Sequence, residues 1–538
     1  MPLRTLSSRW KWFLGISIGI FALVGISVRI VIVRAEPILR TRVIETLSTR
    51  FHSRVDLAEL HVWIENGINV EGKGLKIFGA TDPNPSESGI QPLIAVRSFR
   101  FQTALRNLFR EPMYVNTVFI SGLTMNIPPK NDRAEMTKLR RRGGKMSIFV
   151  SHFLCMDTKL IVNTDKAGKA PLEFDISRLQ MRDIGPARPL QFDANLINPK
   201  PVGNIHSTGY FGPLNETDPR NSAVEGEYSF NHADLSTLKG IGGILSSTGR
   251  YGGTLGRIEV TGETDTPDFH LAVTGHDVPL HTQFHAIVDG TDGDTYLDPV
   301  NARVLDSSFT AVGRVVRTSS PHGHDIELKV TLGNARIQDL LQLGVRTEPP
   351  IMTGRVEMNA RLSLPPGEAD VSDRLRLSGN FHLPSAHFTN EKLQTRIDAL
   401  SLRTLGEPKL VPQAATIKVG SDLSGDFQLQ QGLLSFSSLR FEVPGTRAKV
   451  SGNYSLDGKT FDFHGKLQLN AKVSQMTTGW KSLLLKAVDP FLSKNGYGTE
   501  VPFKITGTQS EPHFGLDFHS KDNDSERNAE GTMEAEDK

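Results

Sequence analysis

The sequence predicts a mainly β protein that begins with a single transmembrane helix and contains a few short helices. Three features lead to this prediction. An uncharged apolar segment lies near the N-terminus, apolar and polar residues alternate with a period of two over most of the remaining chain, and turn residues separate many of the alternating segments. Such alternation places one face of a strand in water and the other against apolar groups. Short linkers between these strands favour antiparallel meanders.

The composition of the 538 residues limits the functions that the chain can have. The 61 basic and 59 acidic residues leave a formal charge of +2, so no global basic field attracts nucleic acid. Cys155 is the one cysteine, which excludes an intramolecular disulfide and a cysteine-cluster metal site. The length suits roughly three or four domains, or a single long β body.

Residues 1–34 form the predicted membrane anchor. The apolar segment from Phe13 to Val33 has 21 residues. As a helix it is about 31 Å long, which matches a hydrocarbon core of about 30 Å. Trp10 and Trp12 lie just outside the segment, where indole rings prefer the membrane interface. We therefore expect an uncleaved, single-pass anchor.

The alternative for this segment is a cleaved signal peptide. Arg29 and Arg34 lie where cleavage would occur and Pro37 follows shortly afterwards, which argues against cleavage. Basic residues flank the apolar segment on both sides, so charge does not decide its orientation.

Residues 35–126 are predicted to contain an amphipathic helix followed by the first strands. Pro37 suits the first turn of a helix. Apolar residues then recur at intervals of four, at Leu39, Val43, Leu47 and Phe51. After this helix the apolar period changes to two.

Two hydrophilic segments interrupt or end the β pattern. Residues 127–146 form a loop with seven basic and two acidic residues. A solvated loop is the favoured interpretation, and contact with anionic headgroups or a partner is the alternative. Residues 519–538 are predicted to be a disordered acidic tail because they have almost no apolar content.

Residues 147–412 are the predicted central β-groove region and residues 413–518 the C-terminal β region. The best helix candidates within them are Ala335–Leu343 and residues 474–492, whose wide apolar stripe suits packing on a sheet. Asp234–Leu245 is a weaker candidate because it contains three glycines.

Alternation is clearest in the C-terminal region. Polar residues such as Asp462 and Lys504 separate its apolar positions and face the opposite way. The apolar positions are Phe427, Leu429, Phe441, Val443, Phe461, Phe463, Leu467, Leu469, Val501, Phe503, Ile505, Phe514 and Leu516.

Motifs for catalysis or metal binding are weak. Gly240–Gly243 lacks the lysine and the strand–helix context of a phosphate loop. Cys155 is interpreted as a structural thiol, and His322 and His324 as parts of an exposed loop rather than metal ligands. Asp292-Gly293-Asp294 lacks the later ligands of a calcium loop, so a hairpin turn is the simpler prediction. We expect no enzyme activity, no metal and no cofactor.

Several short motifs resemble those of a known family. They follow the anchor, recur in the middle of the chain and return near its end. They are Val55–Leu57, Gly74–Ile77, Pro92-Leu93, Val118–Leu123, Asp268–Gly275, Phe284–Gly290, Gly293-Asp294, Leu297, Phe309–Gly313, Val501–Thr508, Pro512 and Phe514. In order and cadence the chain is similar to the AsmA-like family of envelope proteins, part of the repeating-β-groove group of lipid transporters. It is much shorter than the largest members.

The resemblance implies an elongated, curved antiparallel β-groove, or incomplete barrel, lined by the thirteen apolar residues of the C-terminal region. It implies a bacterial inner-membrane anchor with the C-terminal body in the periplasm. The groove is expected to carry phospholipid toward the outer membrane in support of outer-membrane biogenesis. The expected partners are the membrane, phospholipid and other envelope proteins, without nucleic acid.

Two other functions stay open from the sequence. An assembly or scaffold factor would bind outer-membrane β-proteins by adding a strand to an open sheet edge. A hydrolase would need titratable residues that meet only in the folded chain. A groove predicts a long uncharged apolar lining, a scaffold predicts a closed interior with a polar edge strand, and an enzyme predicts one pocket of titratable groups.

Overall fold

The computed structural model describes residues 40–48 in part, 54–78, 92–107 in part, 113–127, 148–163, 172–470 with short gaps, 499–508 and 512–517. Within these residues the chain is mainly β, with 26 strands in one open, largely antiparallel sheet and a few short helices. The predicted mainly β class is therefore confirmed. Of the helices in this part of the chain, none has the length and apolarity to cross a bilayer. The predicted anchor, with Trp10, Trp12, Phe13 and Val33, lies outside the described residues.

Two compact units divide the chain. The first comprises Met1–Pro199, Gly203–Ser229 and Gly252–Leu255, and the second comprises Lys200–Val202, Phe230–Tyr251 and Gly256–Lys538. The strands that lie wholly or mainly in the first unit are β1 Val55–Asp56, β2 Glu59–Ile64, β3 Ile68–Ile77, β4 Ile94–Thr103, β5 Met113–Ile127, β6 Ile148–Val162, β7 Leu172–Ile184, β8 Leu190–Pro199, β9 Val202–Phe211 and β10 Ala223–Asp234.

The first unit contains one parallel strand pair. Its other described pairs are antiparallel, but β5 and β6 run in the same direction, so the prediction of an antiparallel sheet is wrong at this pair. Parallel neighbours require the chain to return to its starting end before the second strand begins. The 20 residues between Ile127 and Ile148 make that return. They include nearly all of the predicted basic loop, which lies outside the described residues.

The helix predicted after the anchor is confirmed where the structure describes it. Residues 40, 41, 44, 45, 47 and 48 are helical. Ile44 packs against a buried cluster of Leu57, Leu60 and Val70, and the Arg40 guanidinium donates to the Leu57 carbonyl at 2.9 Å through Nε. The helix therefore packs on the first strands of the sheet.

The second unit holds the remaining sixteen strands and three α-helices. The strands are β11 Ile241–Gly242, β12 Ile244–Thr254, β13 Arg257–Leu271, β14 Val278–Val288, β15 Thr295–Val304, β16 Ser307–Arg317, β17 His324–Arg336, β18 Met352–Thr353, β19 Arg355–Leu364, β20 Arg376–Phe388, β21 Ser421–Gln430, β22 Leu433–Val443, β23 Thr446–Ser455, β24 Phe461–Leu469, β25 Thr499–Gly507 and β26 Pro512–Leu516. The helices are α1 Ile337–Gly344, α2 Val371–Arg374 and α3 Glu391–Thr404.

Short turns join most strands of the second unit. The hairpin between β21 and β22 turns at Gln431 and Gly432, whose φ angles are 52° and 72°, as a two-residue turn with positive φ at both positions requires. Gly445, with φ 83°, turns the chain between β22 and β23. Gly293 lies in the connection from β14 to β15, which confirms the hairpin prediction there. From β13 to β26 all described neighbours are antiparallel.

The helix predictions have mixed outcomes. Ala335–Leu343 is confirmed as α1, displaced by one or two residues. The prediction for Asp234–Leu245 is wrong, because a three-residue 3-10 helix, Leu235–Thr237, is followed by the start of two strands. Gly240 and Gly243 have φ angles of 94° and 118°, which no α-helix accommodates. Residues 474–492 lie outside the described residues.

Helix α3, within the predicted central β region, was not expected from the sequence. Asn390 caps this helix by accepting a hydrogen bond from the Leu393 amide at 3.0 Å. Leu393, Ile397 and Leu400 then follow at helical spacing. This capping residue and spacing were the signal that would have identified the helix.

Candidate functional site

The strand register places the thirteen predicted lining residues on one face of the sheet. Across β22, β23, β24 and β25, Phe441 pairs with Ala448, Ala448 with Leu467, and Leu467 with Val501. Paired residues in adjacent strands point to the same side. The same register joins Leu429 to Leu434, Phe427 to Phe436, Val443 through Thr446 to Leu469, Phe463 to Ile505, Phe461 to Gly507, Ile505 to Phe514 and Phe503 to Leu516.

Phenylalanine rings form a contiguous series on this apolar face. The ring centroids of Phe381 and Phe427 lie 6.1 Å apart, and those of Phe381 and Phe436 lie 6.2 Å apart. Phe436 continues to Phe463 at 6.0 Å, and Phe463 to Phe461 at 6.3 Å. Except for buried Phe427, these rings are half-buried. The uncharged aromatic surface therefore remains partly accessible.

Two members of this series, Phe381 and Phe436, were not among the predicted residues. Phe436 lies two residues after Leu434, but the β22–β23 register shifts between Phe436 and Leu439. A bulge adds a residue and reverses which residues face inward. The period-two pattern therefore breaks within this strand, which hides Phe436 from a search for regular alternation.

One end of the apolar face is buried. Val304, Leu332, Val356 and Leu383 are each at most 2% exposed, and they lie where β15, β17, β19 and β20 approach the same end of the sheet. Val443 and Leu469 are also buried at this end, and Phe427 and Leu429 are buried elsewhere on the apolar face. These four predicted lining residues are therefore packed rather than on the accessible surface.

Helix α1 covers part of this end. Ile337 and Leu340 pack on a buried cluster that includes Leu332 and Leu383. At the other end of α1, the Leu343 carbonyl accepts a 3.0 Å hydrogen bond from the Thr274 hydroxyl. The helix thus joins β17 to the connection after β13, four strand pairings away.

Helix α3 covers the same face farther along the sheet. The Ser401 hydroxyl donates to the Pro444 carbonyl at 2.8 Å, and the hydroxyls of Thr404 and Thr446 lie 3.0 Å apart. These contacts attach α3 to the hairpin between β22 and β23. The buried Asp398 carboxylate of α3 accepts a 3.2 Å hydrogen bond from the Val419 amide, just before β21.

The sheet of the second unit curls strongly. The path of strand pairing from β11 to β20 crosses seven pairs, from β11 through β13, β14, β15, β16, β17 and β19. In a flat sheet these strands would lie about 34 Å apart. Yet the Val371 amide in the β19–β20 connection donates to the Lys239 carbonyl, just before β11, at 3.1 Å.

The apolar face lies on the inside of this curl. Because α1 packs on the apolar face and also reaches the end of β13, it lies between the two sides that the curl brings together. The polar face is outside, where ion pairs such as Arg314–Glu327 at 2.8 Å link neighbouring strands. A curled sheet with an apolar inner face forms a trough, which we define as the inner face of β13–β26.

Glycines inside the strands allow the curl. A Cβ added to Gly379 would lie 2.1 Å from the Asn359 carbonyl oxygen of the neighbouring strand. Gly313 and Gly452 are equally close to neighbouring backbone, with distances of 2.0 and 2.2 Å. Glycine in a strand interior marks a bend or a close backbone approach. These residues are on the inner face of the trough, so no other side chain fits at these bends.

The remaining candidate groups do not converge on the trough. A shallow cleft of about 460 Å³ lies on the polar outer face and is lined by Glu263, Gln283 and His285, among others. The His285 ring bonds to the Asp298 carbonyl at 2.8 Å. His324 begins β17, and His322 lies outside the described residues. In the residues that the structure describes, no cluster of three metal-ligating side chains occurs.

Cys155 has the environment of a structural thiol. Its side chain is fully buried in β6 of the first unit, and Sγ lies 2.9 Å from the Thr158 hydroxyl. Burial raises the pKa of the thiol, which disfavours the reactive thiolate.

Comparison with known proteins gives no family assignment. No family model matches the sequence, and no curated protein matches it. The fold and the site therefore define a class by themselves, namely a mainly β protein with a curled open sheet whose apolar face lines a trough.

Proposed function

We propose that the chain is an inner-membrane-anchored, periplasmic AsmA-like protein that carries phospholipid between the inner and outer membranes along its trough. The curled sheet, whose apolar inner face is partly accessible, is the single observation that most supports this proposal. A sheet that buries its apolar face against a second sheet leaves no place for a ligand. Here Phe381, Phe436 and Phe463 stay partly accessible inside the curl.

Acyl chains are the ligands whose chemistry fits such a surface. Each methylene group that moves from water to the trough contributes roughly 0.8 kcal/mol, whichever ring it contacts. Because neighbouring positions along the series of phenylalanines are chemically alike, a chain can move between them at little cost. The charged headgroup would stay in water at the lips of the trough, so carriage needs no cofactor and no bond chemistry.

Retention of lipid by the purified protein tests this proposal. The full chain, extracted gently from membranes, is expected to carry phospholipid that native mass spectrometry detects. Replacing both Phe463 and Phe503 by Asp places two charges on the apolar face and should reduce retained lipid by roughly tenfold or more, because a buried unpaired carboxylate is costly.

A matched control uses the opposite face of the same sheet. Ser435→Asp with Gln468→Asp adds two carboxylates on β22 and β24, at positions whose register partners are polar. This variant should retain lipid as the wild type does. A wild-type chain that is lipid-free after gentle extraction, or equal loss in both double variants, would refute carriage along the trough.

An assembly factor that acts by strand addition is the second candidate. In the described residues β26 pairs with β25 alone, and Leu516 on it is 54% exposed. An edge strand of this kind can accept another strand. In that case unfolded outer-membrane β-proteins would protect the β26 amides from hydrogen exchange, and the Phe463 and Phe503 substitutions would leave that protection unchanged.

A further inference from the structure

A short contact joins the two sides of the curl of the second unit. We define the clasp as the connection from Pro365 to Arg374, which includes α2, together with Lys239 and Gly240 on the opposite side. The Val371 amide donates to the Lys239 carbonyl at 3.1 Å. Gly240 is packed so closely that an added Cβ would lie 3.3 Å from the Val371 Cβ.

Hydrogen bonds within the β19–β20 connection stabilise this side of the clasp. The Arg374 guanidinium donates to the Pro365 carbonyl at 2.6 Å and to the Ala369 carbonyl at 2.8 Å. The Leu375 amide also bonds to the Val371 carbonyl at 2.8 Å, which closes the turn of α2. The connection therefore holds one conformation by itself, and its contact with Lys239 is a separate interaction that can break without unfolding it.

The clasp crosses the path that a lipid headgroup would take. A phospholipid with its acyl chains in the trough keeps its headgroup in water between the two sides of the curl. Backbone atoms of Val371 and Lys239 occupy that gap where the clasp closes it. A hydrated headgroup cannot pass through hydrogen-bonded backbone.

We propose that the clasp is a gate which must open each time a phospholipid headgroup passes along the trough. This proposal rests on the proposed lipid function and adds a regulated step to it. Contacts across the gap include one backbone hydrogen bond, from the Val371 amide to the Lys239 carbonyl, and the packing of Gly240 on Val371. The hydrogen bond itself is easily opened, because a single intramolecular hydrogen bond adds little net stability.

Val371→Pro removes the bridging donor while preserving the helix. Val371 is the first residue of α2, where proline is favoured. Asp370 before it has φ −56° and ψ 150°, which is the extended conformation that a residue before proline adopts. Val371→Ala is the matched control, because it shortens the side chain and keeps the amide donor.

A second variant locks the clasp. Gly240→Cys with Val371→Cys would place the two Cβ atoms 3.3 Å apart, slightly closer than the roughly 3.5–4.5 Å usual in disulfides. The added Cβ at Gly240 would also lie 2.8 Å from the Val371 amide nitrogen, so the backbone shifts slightly in this variant. Gly240 has a φ of 94°, so any side chain there is strained. The oxidised and reduced forms of this one variant are compared, since the strain is common to both. Cys155 is buried in the other unit and does not compete.

The experiment measures transfer of fluorescent phosphatidylglycerol between vesicles of phosphatidylethanolamine and phosphatidylglycerol by the full chain. Oxidation of the cysteine pair should slow transfer at least tenfold while the lipid bound per protein is unchanged, and reduction should restore it. Val371→Pro should speed transfer by roughly threefold to tenfold, the effect of one lost hydrogen bond. Val371→Ala should transfer at the wild-type rate.

Two results would overturn the gate. Transfer by the oxidised pair at the reduced rate would show that headgroups do not pass the clasp. Equal rates for Val371→Pro and Val371→Ala would show that the bridging hydrogen bond does not control transfer. Failure of the wild type to bind lipid is a different result, because it refutes the proposed function itself.

Discussion

The Asp339 carboxylate of α1 accepts a 2.7 Å hydrogen bond from the Ser307 hydroxyl, and both side chains are buried. The same carboxylate oxygen also accepts from the Asp306 amide at 3.2 Å. The turn between β15 and β16 is thereby attached to the helix that covers the end of the trough. A carboxylate with two such donors is well satisfied despite its burial.

Replacing Asp339 by Ala should lower the free energy of unfolding of the second unit by about 2–3 kcal/mol, because the Asp306 amide loses its acceptor and the Ser307 hydroxyl loses the shorter of the two hydrogen bonds that it donates. Asp339→Asn keeps an acceptor oxygen and should cost less. Urea unfolding, monitored through the hydrogen exchange of peptides from β15 to β17, measures the change in the free energy of unfolding. Glu442→Gln breaks an exposed 3.5 Å pair with Arg447 and should change stability by less than about 0.5 kcal/mol. Similar losses at Asp339 and Glu442 would contradict this account.

Two glycines in strands of the second unit should respond oppositely to alanine. An added Cβ at Gly379 meets the Asn359 carbonyl oxygen at 2.1 Å, whereas one at Gly333 meets nothing within 4 Å. Gly379→Ala should destabilise the second unit by about 2–3 kcal/mol or more, because the neighbouring strand must move. Gly333→Ala should be neutral or stabilising by up to about 1 kcal/mol. Thermal unfolding of both variants tests this, and a neutral Gly379→Ala would show that the sheet does not bend there.

His464 should make the last strand sensitive to pH. Its Nδ1 lies 2.6 Å from Asp517, just after β26, and its Nε2 lies 3.0 Å from Asp462. The hydrogen bond with Asp517 raises the pKa of His464, and the charge of Asp462 adds to the effect. The folded state therefore binds the proton more tightly than the unfolded state. The stabilisation is complete below the ordinary imidazole pKa of about 6.5 and is lost as the pH rises through the higher folded pKa.

Hydrogen exchange of β26 at a series of pH values, corrected for intrinsic exchange, measures this effect. Protection of β26 should fall as the pH rises above about 6.5. Asp517→Asn removes the charged acceptor and should flatten the dependence. A pH dependence that survives in Asp517→Asn would assign it to another group.

Cys155 should be inert to thiol reagents in the folded protein. Its side chain is fully buried and burial raises its pKa, so both access and thiolate formation are disfavoured. Reaction with an aromatic disulfide should proceed at the unfolding rate of the first unit and accelerate in urea. Ser435→Cys, on the polar face of β22, provides an accessible thiol for comparison. Comparable rates for the two cysteines in native buffer would refute the structural role.

The inner-face pattern could be predicted from the sequence because it is local. Alternation in segments such as Phe461–Leu469 fixes which side chains share a face once the strands pair in register. Turn residues such as Gly432 and Gly445, which separate alternating segments, are local signals of the same kind. Bulges could not be predicted from the sequence. The extra residue near Phe436 shifts the inward–outward alternation of side chains along β22, but no characteristic residue type marks its position.

The curl and its closure could not be predicted, because they depend on residues far apart in sequence. Lys239 and Val371 meet only after seven strand pairings have bent the sheet. Gly379 looks like a turn residue in sequence, yet it lies inside a strand. The parallel pairing of β5 with β6 likewise depends on the path of the long connection between them. The local alternation of apolar and polar residues contains no information about that path.

The placement of α1 and α3 has a consequence for how such a chain can grow. Both helices follow strands that end at the same end of the sheet, and β18, β19 and β20 lie between them in the chain. Duplication of one hairpin would add two strands to the sheet and lengthen it by about 10 Å across the strands, while α1 and α3 stay unchanged. The sheet can therefore be lengthened by even numbers of strands. Insertion of a single strand would reverse the direction of every strand that follows it.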